Sequence, residues 1–554
     1  MSKNYIQDKF GLFEFHVAKI QQFSLFHRYF TRKRGAKSII FPRNLDERLI
    51  ICIFAADLQH KISFMEQNDL NNITLTTSQE NVLNRILAFV KKSSDRIFIL
   101  KGYAGTGKTT LMRFLIQKLE DKHKDYRLLA STGRAAKVLA NLSNRNGSTS
   151  TIHSMVYSFN GLSKEYDEKE EPVVDKDGQL FLVFEPSILD ETEVPETIYI
   201  IDEASMVSDV ITKNVTQAKF GEGRLLKELL DYDKRSGSKF IFVGDPCQLP
   251  PIEEYYSPAL MKDYFYQTFG MGAQEAQLTE IMRQKGASGI IDASKHIRGL
   301  YNKAPNDTMM YGSQRLWGFL PFRKYRDIQL HSNLESMIND YVNKVKTKGL
   351  NSAVCICRSN SACSKLSANI REKLGFESCH IQVGDLLMVI QNNTPTGLMN
   401  GDMVTIEDLG PKTQSRSGLT FREITVKELF TQKSVKTLII EEIVNQSRLN
   451  LDSVQQQALF IDFINRMRIK GITQKESRAF NHALFSDPYL NALRCVYGYA
   501  ITCHKSQGGE WEDVYVHVPR NITLNPTKET YQWIYTSMTR AKKTLHMVDD
   551  FYIK

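Results

Sequence analysis

The chain has 554 residues, 42% of them hydrophobic and 24% charged, a composition typical of a globular protein with roughly three to four domains. It contains no run of about 18 apolar residues, and residues 1–20 lack the apolar core of a signal peptide. These features argue against a membrane or secreted protein and favour the cytoplasm. The formal net charge of +10 suits an acidic partner such as nucleic acid, although the basic residues are spread along the chain.

Residues 1–73 contain no recognisable functional motif. The segment RLIICIFAADLQHKISFM (48–65) has the pattern of a packed helix, so we expect a folded or docked extension that offers a possible surface for a protein partner. The densest basic run, HRYFTRKRGAK (27–37), is either a solvated loop or a patch that contacts phosphate.

A phosphate-binding loop follows the first buried strand. The strand RIFIL (96–100) leads into LKGYAGTGKTTL (100–111), which fits G-x-x-x-x-G-K-[ST], and apolar residues at helical spacing come next. In such a loop, Lys108 reaches the β- and γ-phosphates of a nucleotide and the Thr109 hydroxyl ligates Mg²⁺. The loop positions predicted to surround ATP are Gly102, Ala104, Gly105, Thr106, Gly107, Lys108, Thr109 and Thr110.

Further apolar runs at 127–132, 197–205 and 239–245 each end in small or polar residues, which is typical of a parallel α/β sheet with a site at the strand ends. Asp202 ends the second run and is placed to hold Mg²⁺, while Glu203 can polarise the attacking water. Gln248, in the loop FVGDPCQLPPI (242–252), can donate and accept together and therefore sense the γ-phosphate.

Six segments resemble the motifs of superfamily 1 helicases, and most closely those of the type B, RecD-like group. They are GYAGTGKTT, DEAS, GDPCQLPPI, LTEIMRQ, AITCHKSQGGEWEDVYV and YTSMTRAKKTL, in that order within residues 74–550. The resemblance implies two RecA-like domains that close on ATP and Mg²⁺, with Arg283 and Arg540 stabilising charge on the departing phosphate. It also implies that Gln79 contacts adenine and that Glu510 lies near the nucleotide sugar or phosphate.

The same resemblance implies an ATP-dependent DNA helicase that moves 5′ to 3′ on single-stranded DNA and acts at duplex junctions. We expect a monomeric motor that serves DNA repair or recombination. Two alternatives stay open, namely an RNA helicase of the same superfamily and a strand-binding motor without robust unwinding. Hydroxyls, an imidazole, a lysine and backbone N–H groups can all hold a phosphate or sugar without reading bases. The predicted strand contacts are Thr132, Gly133, Arg134, Thr151, His153, Thr502, His504, Lys505 and Ser506.

The predicted fold is therefore α/β, with a first RecA-like domain at 74–345 and a second at 346–382 and 490–554. Residues 157–197 are predicted to add a hairpin with a turn at Asp177-Gly178, which is either a strand-separating wedge or a plain structural hairpin. Residues 383–489 are predicted to add a small SH3-like barrel and a helical piece. Three cysteines, Cys355, Cys357 and Cys363, favour reduced thiols around a buried strand over a zinc site.

Overall fold

The computed structural model describes residues 74–142, 148–162, 182–189, 195–211, 218–281, 288–304, 320–377, 380–473, 477–524 and 526–554. The chain divides into two units, Met1–Thr74 and Leu75–Lys554, and the architecture below is that of the second unit. The predicted N-terminal extension, Arg283 and the Asp177-Gly178 turn lie outside the described residues.

A parallel sheet organises the first half of this unit. Its strands form where apolar side chains cover both faces, as in β1, whose residues are almost all buried. The strands between residues 97 and 278 are β1 (Ile97–Gly102), β2 (Tyr126–Ala130), β3 (Thr149–Thr151), β4 (Tyr157–Leu162), β5 (Leu182–Pro186), β6 (Ile198–Asp202), β7 (Ala218–Phe220), β8 (Lys239–Gly244) and β9 (Ala273–Leu278). In the described part of the chain, six of these strands form the first sheet in the order β3-β2-β6-β8-β1-β9, all parallel.

Helices cover both faces of the first sheet and create two apolar layers. One layer joins Phe98 and Leu100 to the helices at residues 77–92, 108–121 and 133–140, and the other joins Ile97 and Ile99 to those at 152–156, 225–232 and 262–269. The alternation of β1 residues between the two layers follows from the period of two in a strand. The helices of this region are α1 (Thr77–Lys92), α2 (Lys108–Asp121), α3 (Gly133–Ala140), α4 (Ile152–Val156), α5 (Leu225–Tyr232), α6 (Lys262–Phe269) and α7 (Gly289–Lys303).

A small sheet with the order β4-β5-β7 stands where the hairpin was predicted. Strand β5 pairs antiparallel with β4 on one edge and parallel with β7 on the other. Residues 182–184 are therefore paired on both sides. They cannot also pair with the residues directly before the predicted Asp-Gly turn. The antiparallel pairing is with residues 157–162, which lie further upstream than the sequence suggested.

A second parallel sheet organises residues 320–554. The strands of this region are β10 (Ile328–His331), β11 (Ala353–Cys357), β12 (Leu386–Val389), β13 (Met403–Arg416), β14 (Leu419–Glu428), β15 (Ser434–Ile440), β16 (Cys495–Tyr497), β17 (Ala500–Thr502), β18 (Trp511–Val516) and β19 (Ala541–Val548). Five of them form a parallel sheet in the order β10-β19-β18-β11-β17. The chain thus contains two RecA-like parallel sheets.

The helices of this region are α8 (Leu334–Lys348), α9 (Asn360–Leu374), α10 (Glu441–Asn445), α11 (Ser453–Ile469), α12 (Ser477–Ser486), α13 (Cys503–Ser506), α14 (Arg520–Leu524) and α15 (Lys528–Met538). Strand β10 pairs with β19, and Leu320 bridges to Ile553. The second domain therefore takes up chain from about residue 320, before the boundary expected at 345. A short strand followed by one helix has the same sequence pattern in either domain. The sequence therefore could not assign β10 and α8 to the second domain.

The segment between α9 and β17 forms an antiparallel sheet with the order β15-β14-β13-β12-β16. This agrees with the β-rich stretch predicted for 383–443. Residues from α11 and α12, including Phe460 and Leu484, pack with Leu419 and Phe421 of β14 in a separate apolar cluster. The more specific SH3-like description remains a prediction.

Two expectations from composition can be compared with these elements. Cys355 and Cys357 lie buried on β11 and Cys363 lies buried on α9, all as free thiols. Among the described residues, no helix has both the length and the apolar character needed to cross a membrane.

Candidate nucleotide site and nucleic-acid interface

The loop between β1 and α2 has the shape of a phosphate cradle. Gly105 and Gly107 have φ angles of 78° and 81°, a left-handed conformation that glycine adopts without strain. A Cβ atom on Gly102 would lie 2.8 Å from the Lys108 side chain, so glycine is needed where the lysine crosses the loop. The first turn of α2 contains no acidic residue, which leaves the positive end of the helix dipole for phosphate.

Lys108 is held on the loop's own carbonyl oxygens. Its Nζ donates to Gly102 O at 2.7 Å and to Tyr103 O at 3.3 Å. The neighbouring Thr109 is exposed in the first turn of the helix, so its hydroxyl is accessible. These residues fit a triphosphate with Mg²⁺, since the lysine has only to exchange neutral carbonyl partners for phosphate oxygens.

Gln79 hydrogen-bonds to the backbone of the same loop. It is 2% exposed on α1, donates from Nε2 to Thr106 O at 3.1 Å, and accepts at Oε1 from the Thr76 N–H at 3.1 Å. The second bond belongs to the capping box that begins α1. Both ends of the amide thus have a protein partner in this structure, and its predicted contact with adenine stays a prediction.

The acidic pair stands at the carboxyl end of β6. Burial raises the pKa of Asp202, the adjacent Glu203 charge raises it further, and the positive charge of Lys108 opposes the shift. That interaction brings the strand-end carboxylate and the loop lysine into one site. Glu203 has a φ of 49°, a left-handed conformation that costs energy for a residue with a side chain and is common at functional positions.

Gln248 connects the two domains across this site. With its amide oriented to satisfy its neighbours, Nε2 donates to Glu203 Oε2 at 3.3 Å and Oε1 accepts from Arg540 Nη2 at 3.1 Å. Arg540 is only 5% exposed, and its Nε donates to Thr536 O at 3.1 Å. The structure therefore brings together Glu203 and Gln248 of the first domain and Arg540 of the second, as the sequence predicted.

Tyr535 makes a second connection that the sequence reasoning missed. Its hydroxyl accepts from the Ala104 N–H at 2.9 Å in the phosphate loop and donates to Asp245 Oδ2 at 2.7 Å in the loop after β8. Thr536 and Gln532, on the same helix, hydrogen-bond to the backbone of Leu249 and Gln248. These contacts make α15 the face that the second domain presents to the nucleotide site.

A signal for this helix was present in its sequence. Polar side chains recur at positions 532, 535, 536, 539 and 540 among the apolar residues Trp533, Ile534 and Met538. That spacing places them along one side of a helix. Polar side chains on an otherwise apolar helix need hydrogen-bond partners once the helix is packed, which predicts an interface with hydrogen bonds.

Two further residues were predicted to contact the nucleotide. Arg283 lies outside the described residues, because 282–287 are not among them. Glu510 lies at the start of β18, where its carboxylate is 3.5 Å from Lys542 Nζ in a half-exposed pair. Its contact with a nucleotide remains a prediction.

The first predicted strand-binding group forms part of the contact between domains. The Thr132 hydroxyl accepts from the Ala135 N–H at 3.2 Å and caps α3. The Arg134 guanidinium lies 4.3 Å from the ring centre of Trp511, a cation–π contact with the second domain. A Cβ on Gly133 would lie 2.5 Å from the Met399 side chain. In this structure, Arg134 is thus packed against protein rather than open to a phosphate.

The second group lies at the start of α4. The Thr151 hydroxyl accepts from the Ser154 N–H at 3.1 Å and serves as the helix cap. His153 packs against Tyr157 and Phe220, with ring centres 5.7 and 5.3 Å away. Burial lowers the pKa of His153 to about 4, so the imidazole is neutral near pH 7 and brings no positive charge to a phosphate.

The third group of predicted strand contacts, which is Thr502, His504, Lys505 and Ser506, contains both accessible and buried side chains. Ser506 is 0% exposed and its hydroxyl donates to Cys503 O at 2.7 Å, so its predicted contact with a strand is wrong for this structure. Its place on the inner side of the short helix α13 explains the difference. His504 is half-buried, and burial lowers its pKa, with the Arg358 charge adding to the shift.

Thr502 and Lys505 line a small cleft between the second sheet and the antiparallel sheet. Asn360, Ser364 and Ser447 also line it, and no sequence motif indicated them. Hydroxyl and amide groups beside one lysine are suited to a sugar–phosphate backbone. This cleft is a candidate for holding a strand.

Comparisons with known proteins agree with the division into two domains. Residues 74–304 match the family described as AAA domain, and residues 497–548 match the UvrD-like helicase C-terminal domain. The first match contains the phosphate loop, Glu203 and Gln248, and the second contains Tyr535 and Arg540.

Several relatives and a solved structure are similar to the chain. Uncharacterized protein R530 of Acanthamoeba polyphaga mimivirus is 24% identical over 85% of this chain and 98% of its own length. The ATP-dependent DNA helicase dda of Enterobacteria phage T4 is 26% identical over 60% of this chain, and the match spans 64% of the phage protein. A solved structure of Pif1 helicases at forked double-stranded DNA is 18% identical, with 86% of this chain and 92% of that chain covered and a TM-score of 0.44.

The two parallel sheets, the shared nucleotide site and the two family matches define an ATP-driven helicase of superfamily 1. Within that superfamily, the related proteins indicate the Pif1/RecD-like type, a class of ATP-dependent DNA helicases.

Proposed function

We propose that this protein moves 5′ to 3′ along single-stranded DNA and unwinds duplex ahead of it, using ATP bound between its two RecA-like domains. The connection from Glu203 through Gln248 to Arg540 carries the proposal, because it joins the water-activating group of one domain to the guanidinium of the other. A change at the γ-phosphate would disturb this connection and so alter the fit between the domains.

Each side chain at the cleft has a distinct role in the proposed reaction. Lys108 would bind the β- and γ-phosphates, Thr109 and Asp202 would hold Mg²⁺, and Glu203 would orient and polarise the attacking water. Mg²⁺ supplies neutralisation of the phosphate charge when it is bound. Arg540 would stabilise the charge that develops on the transferred phosphoryl group.

The strand is proposed to lie along the cleft lined by Thr502 and Lys505. The hydroxyl, amide and ammonium groups in its mixed lining support contact with the sugar–phosphate backbone, which a motor that must step along any sequence requires. DNA is proposed over RNA because the T4 relative is named as a DNA helicase. The 5′ to 3′ direction rests on the type B resemblance of the motifs.

Other parts of the chain are proposed to assist the motor. The antiparallel sheet would act as an SH3-like element that holds the strand, and the β4-β5 pair is a candidate for separating strands. Residues 1–73 are a possible surface for a protein partner, and we propose a monomeric motor inside the cell.

Unwinding of matched forks tests the proposal. Forks with only a 5′ single-stranded DNA tail should be unwound with ATP, and forks with only a 3′ tail should not. A fork with a 5′ RNA tail tests the polymer, and Glu203→Gln serves as the control for unwinding that needs hydrolysis. Preference for the 3′ tail would contradict the direction, and preference for the RNA tail would contradict the polymer.

A further inference from the structure

A cluster of two histidines and an aspartate lies in the second domain, separate from the residues that line the nucleotide cleft and the strand cleft. His331 ends β10, His546 lies in β19 and Asp340 lies on α8. His331 Nε2 is 3.1 Å from His546 Nδ1, and His546 Nδ1 is 3.4 Å from Asp340 Oδ2. One potential ligand atom from each residue therefore lies within 4.8 Å of the others.

Two of the three separations are close to the edges of a small coordination polyhedron. Zinc binds histidine nitrogen and carboxylate oxygen at about 2.0–2.2 Å, so two ligand atoms on a zinc tetrahedron are about 3.4 Å apart. The nitrogen–oxygen distance of 3.4 Å already has this value, and the nitrogen–nitrogen distance of 3.1 Å would need to widen by about 0.3 Å. The two rings would also have to rotate so that both nitrogens face the ion.

The neighbours of His546 hold its ring in the orientation that a ligand requires. His546 Nε2 is 3.3 Å from Asp513 Oδ1, and the Tyr515 ring stacks on the imidazole with centres 4.0 Å apart. The Tyr515 hydroxyl also donates to Asp340 Oδ2 at 2.6 Å. A carboxylate on the far nitrogen of a histidine is the usual outer partner in metal sites, where it fixes the tautomer and points the other nitrogen at the ion.

We propose that His331 Nε2, His546 Nδ1 and an Asp340 carboxylate oxygen form a binding site for a divalent transition-metal ion, with Zn²⁺ as the best match. Two imidazoles and one carboxylate suit zinc and its neighbours, whereas Mg²⁺ and Ca²⁺ prefer oxygen ligands alone. The Asp340 side chain is 39% exposed, so water can reach a fourth position.

A bound ion would stabilise one edge of the second parallel sheet. Strand β10 is the edge strand of its sheet and α8 lies outside the sheet, so an ion held by His331, Asp340 and His546 would cross-link three elements. One of them, β19, begins immediately after Arg540. The bound ion would therefore stabilise the folded second domain that carries this arginine.

Metal titration of the full chain, freed of metal by a chelator and kept in constant Mg²⁺, tests the site. Zn²⁺ should bind with one equivalent and raise the melting temperature, while added Ca²⁺ should not. His331→Gln should weaken Zn²⁺ binding by at least ~100-fold, and Asp513→Asn by about 10- to 100-fold. His482→Gln, which changes an exposed histidine on α12, is the matched control and should bind as the original chain does.

Co²⁺ in place of Zn²⁺ reports the ligands directly and needs no variant. The visible spectrum of a tetrahedral ion with nitrogen and oxygen ligands is expected, without the intense near-ultraviolet bands of thiolate–cobalt bonds. Equal Zn²⁺ affinity in the original chain and in His331→Gln, thiolate bands, or no binding at micromolar metal would each overturn the proposal.

Discussion

Tyr535→Phe should weaken closure of the nucleotide cleft without removing any group proposed to touch ATP chemistry. The change deletes the acceptor for the Ala104 N–H and the donor to Asp245 Oδ2, which belong to the first domain. A hydrogen bond between neutral groups contributes about 1 kcal/mol and one to a charged group about 1.5–3 kcal/mol. The closed arrangement should thus lose about 2–4 kcal/mol.

A loss of that size corresponds to a shift of roughly 30- to 700-fold in the equilibrium between closed and open clefts. ATP itself favours closure, so the expected fall in kcat for ATP hydrolysis is smaller, about 10- to 100-fold. Burial raises the pKa of Tyr535 far above its usual value, so the hydroxyl remains a donor throughout the neutral range. The effect should accordingly be constant from about pH 6 to 9.

Steady-state ATP hydrolysis with saturating single-stranded DNA measures this effect, and binding of a fluorescent nucleotide shows whether the site remains intact. Tyr341→Phe is the matched control, because the Tyr341 hydroxyl is buried without a hydrogen-bond partner. An unchanged kcat for Tyr535→Phe, or an equal loss for Tyr341→Phe, would refute the role assigned to the Tyr535 hydroxyl.

The remaining changes test the water-activating group and the strand cleft. Glu203→Gln should retain ATP binding and lose about 10²- to 10⁴-fold in turnover, and near-normal hydrolysis in a rapid-quench assay would exclude Glu203 as the base. The affinity for a single-stranded oligonucleotide should fall steeply as salt rises, measured by fluorescence anisotropy, and a flat response would argue against phosphate contacts. Lys505→Ala should reduce the slope of log affinity against log salt by about 1, whereas Ser506→Ala, at a buried position, should leave it unchanged. A smaller slope for the serine variant would contradict its inward placement.

The sequence was sufficient to predict the parts of the fold that depend on local pattern. The buried strand runs predicted β1, β6 and β8, and the polar residues directly after them predicted where the site lies. Parallel strands end at one edge of a sheet, so Lys108, Glu203 and Gln248 had to be neighbours once the strands were parallel. The pairing of Gln248 with Arg540, far apart in the chain, required the family resemblance.

Other features depend on packing that no local pattern specifies. Ser506 and Lys505 are adjacent in one motif, yet one side chain points into the domain and the other lines the strand cleft. Arg134 is a residue type that often contacts phosphate, but here it stacks on Trp511. Trp511 belongs to the second domain and is distant in sequence, so no local pattern could predict this contact. The cluster of His331, Asp340 and His546 comes from three distant segments that topology alone brings together.

The most direct test of the shared nucleotide site is single-turnover ATP hydrolysis by Arg540→Ala with bound single-stranded DNA. Arg540 belongs to the second domain and contacts Gln248 of the first at 3.1 Å, so the account predicts a loss of about 10³-fold or more in the hydrolysis rate. Nucleotide affinity, measured in parallel, should be largely retained. Hydrolysis at the original rate by this variant would contradict the claim that the two domains build one active site.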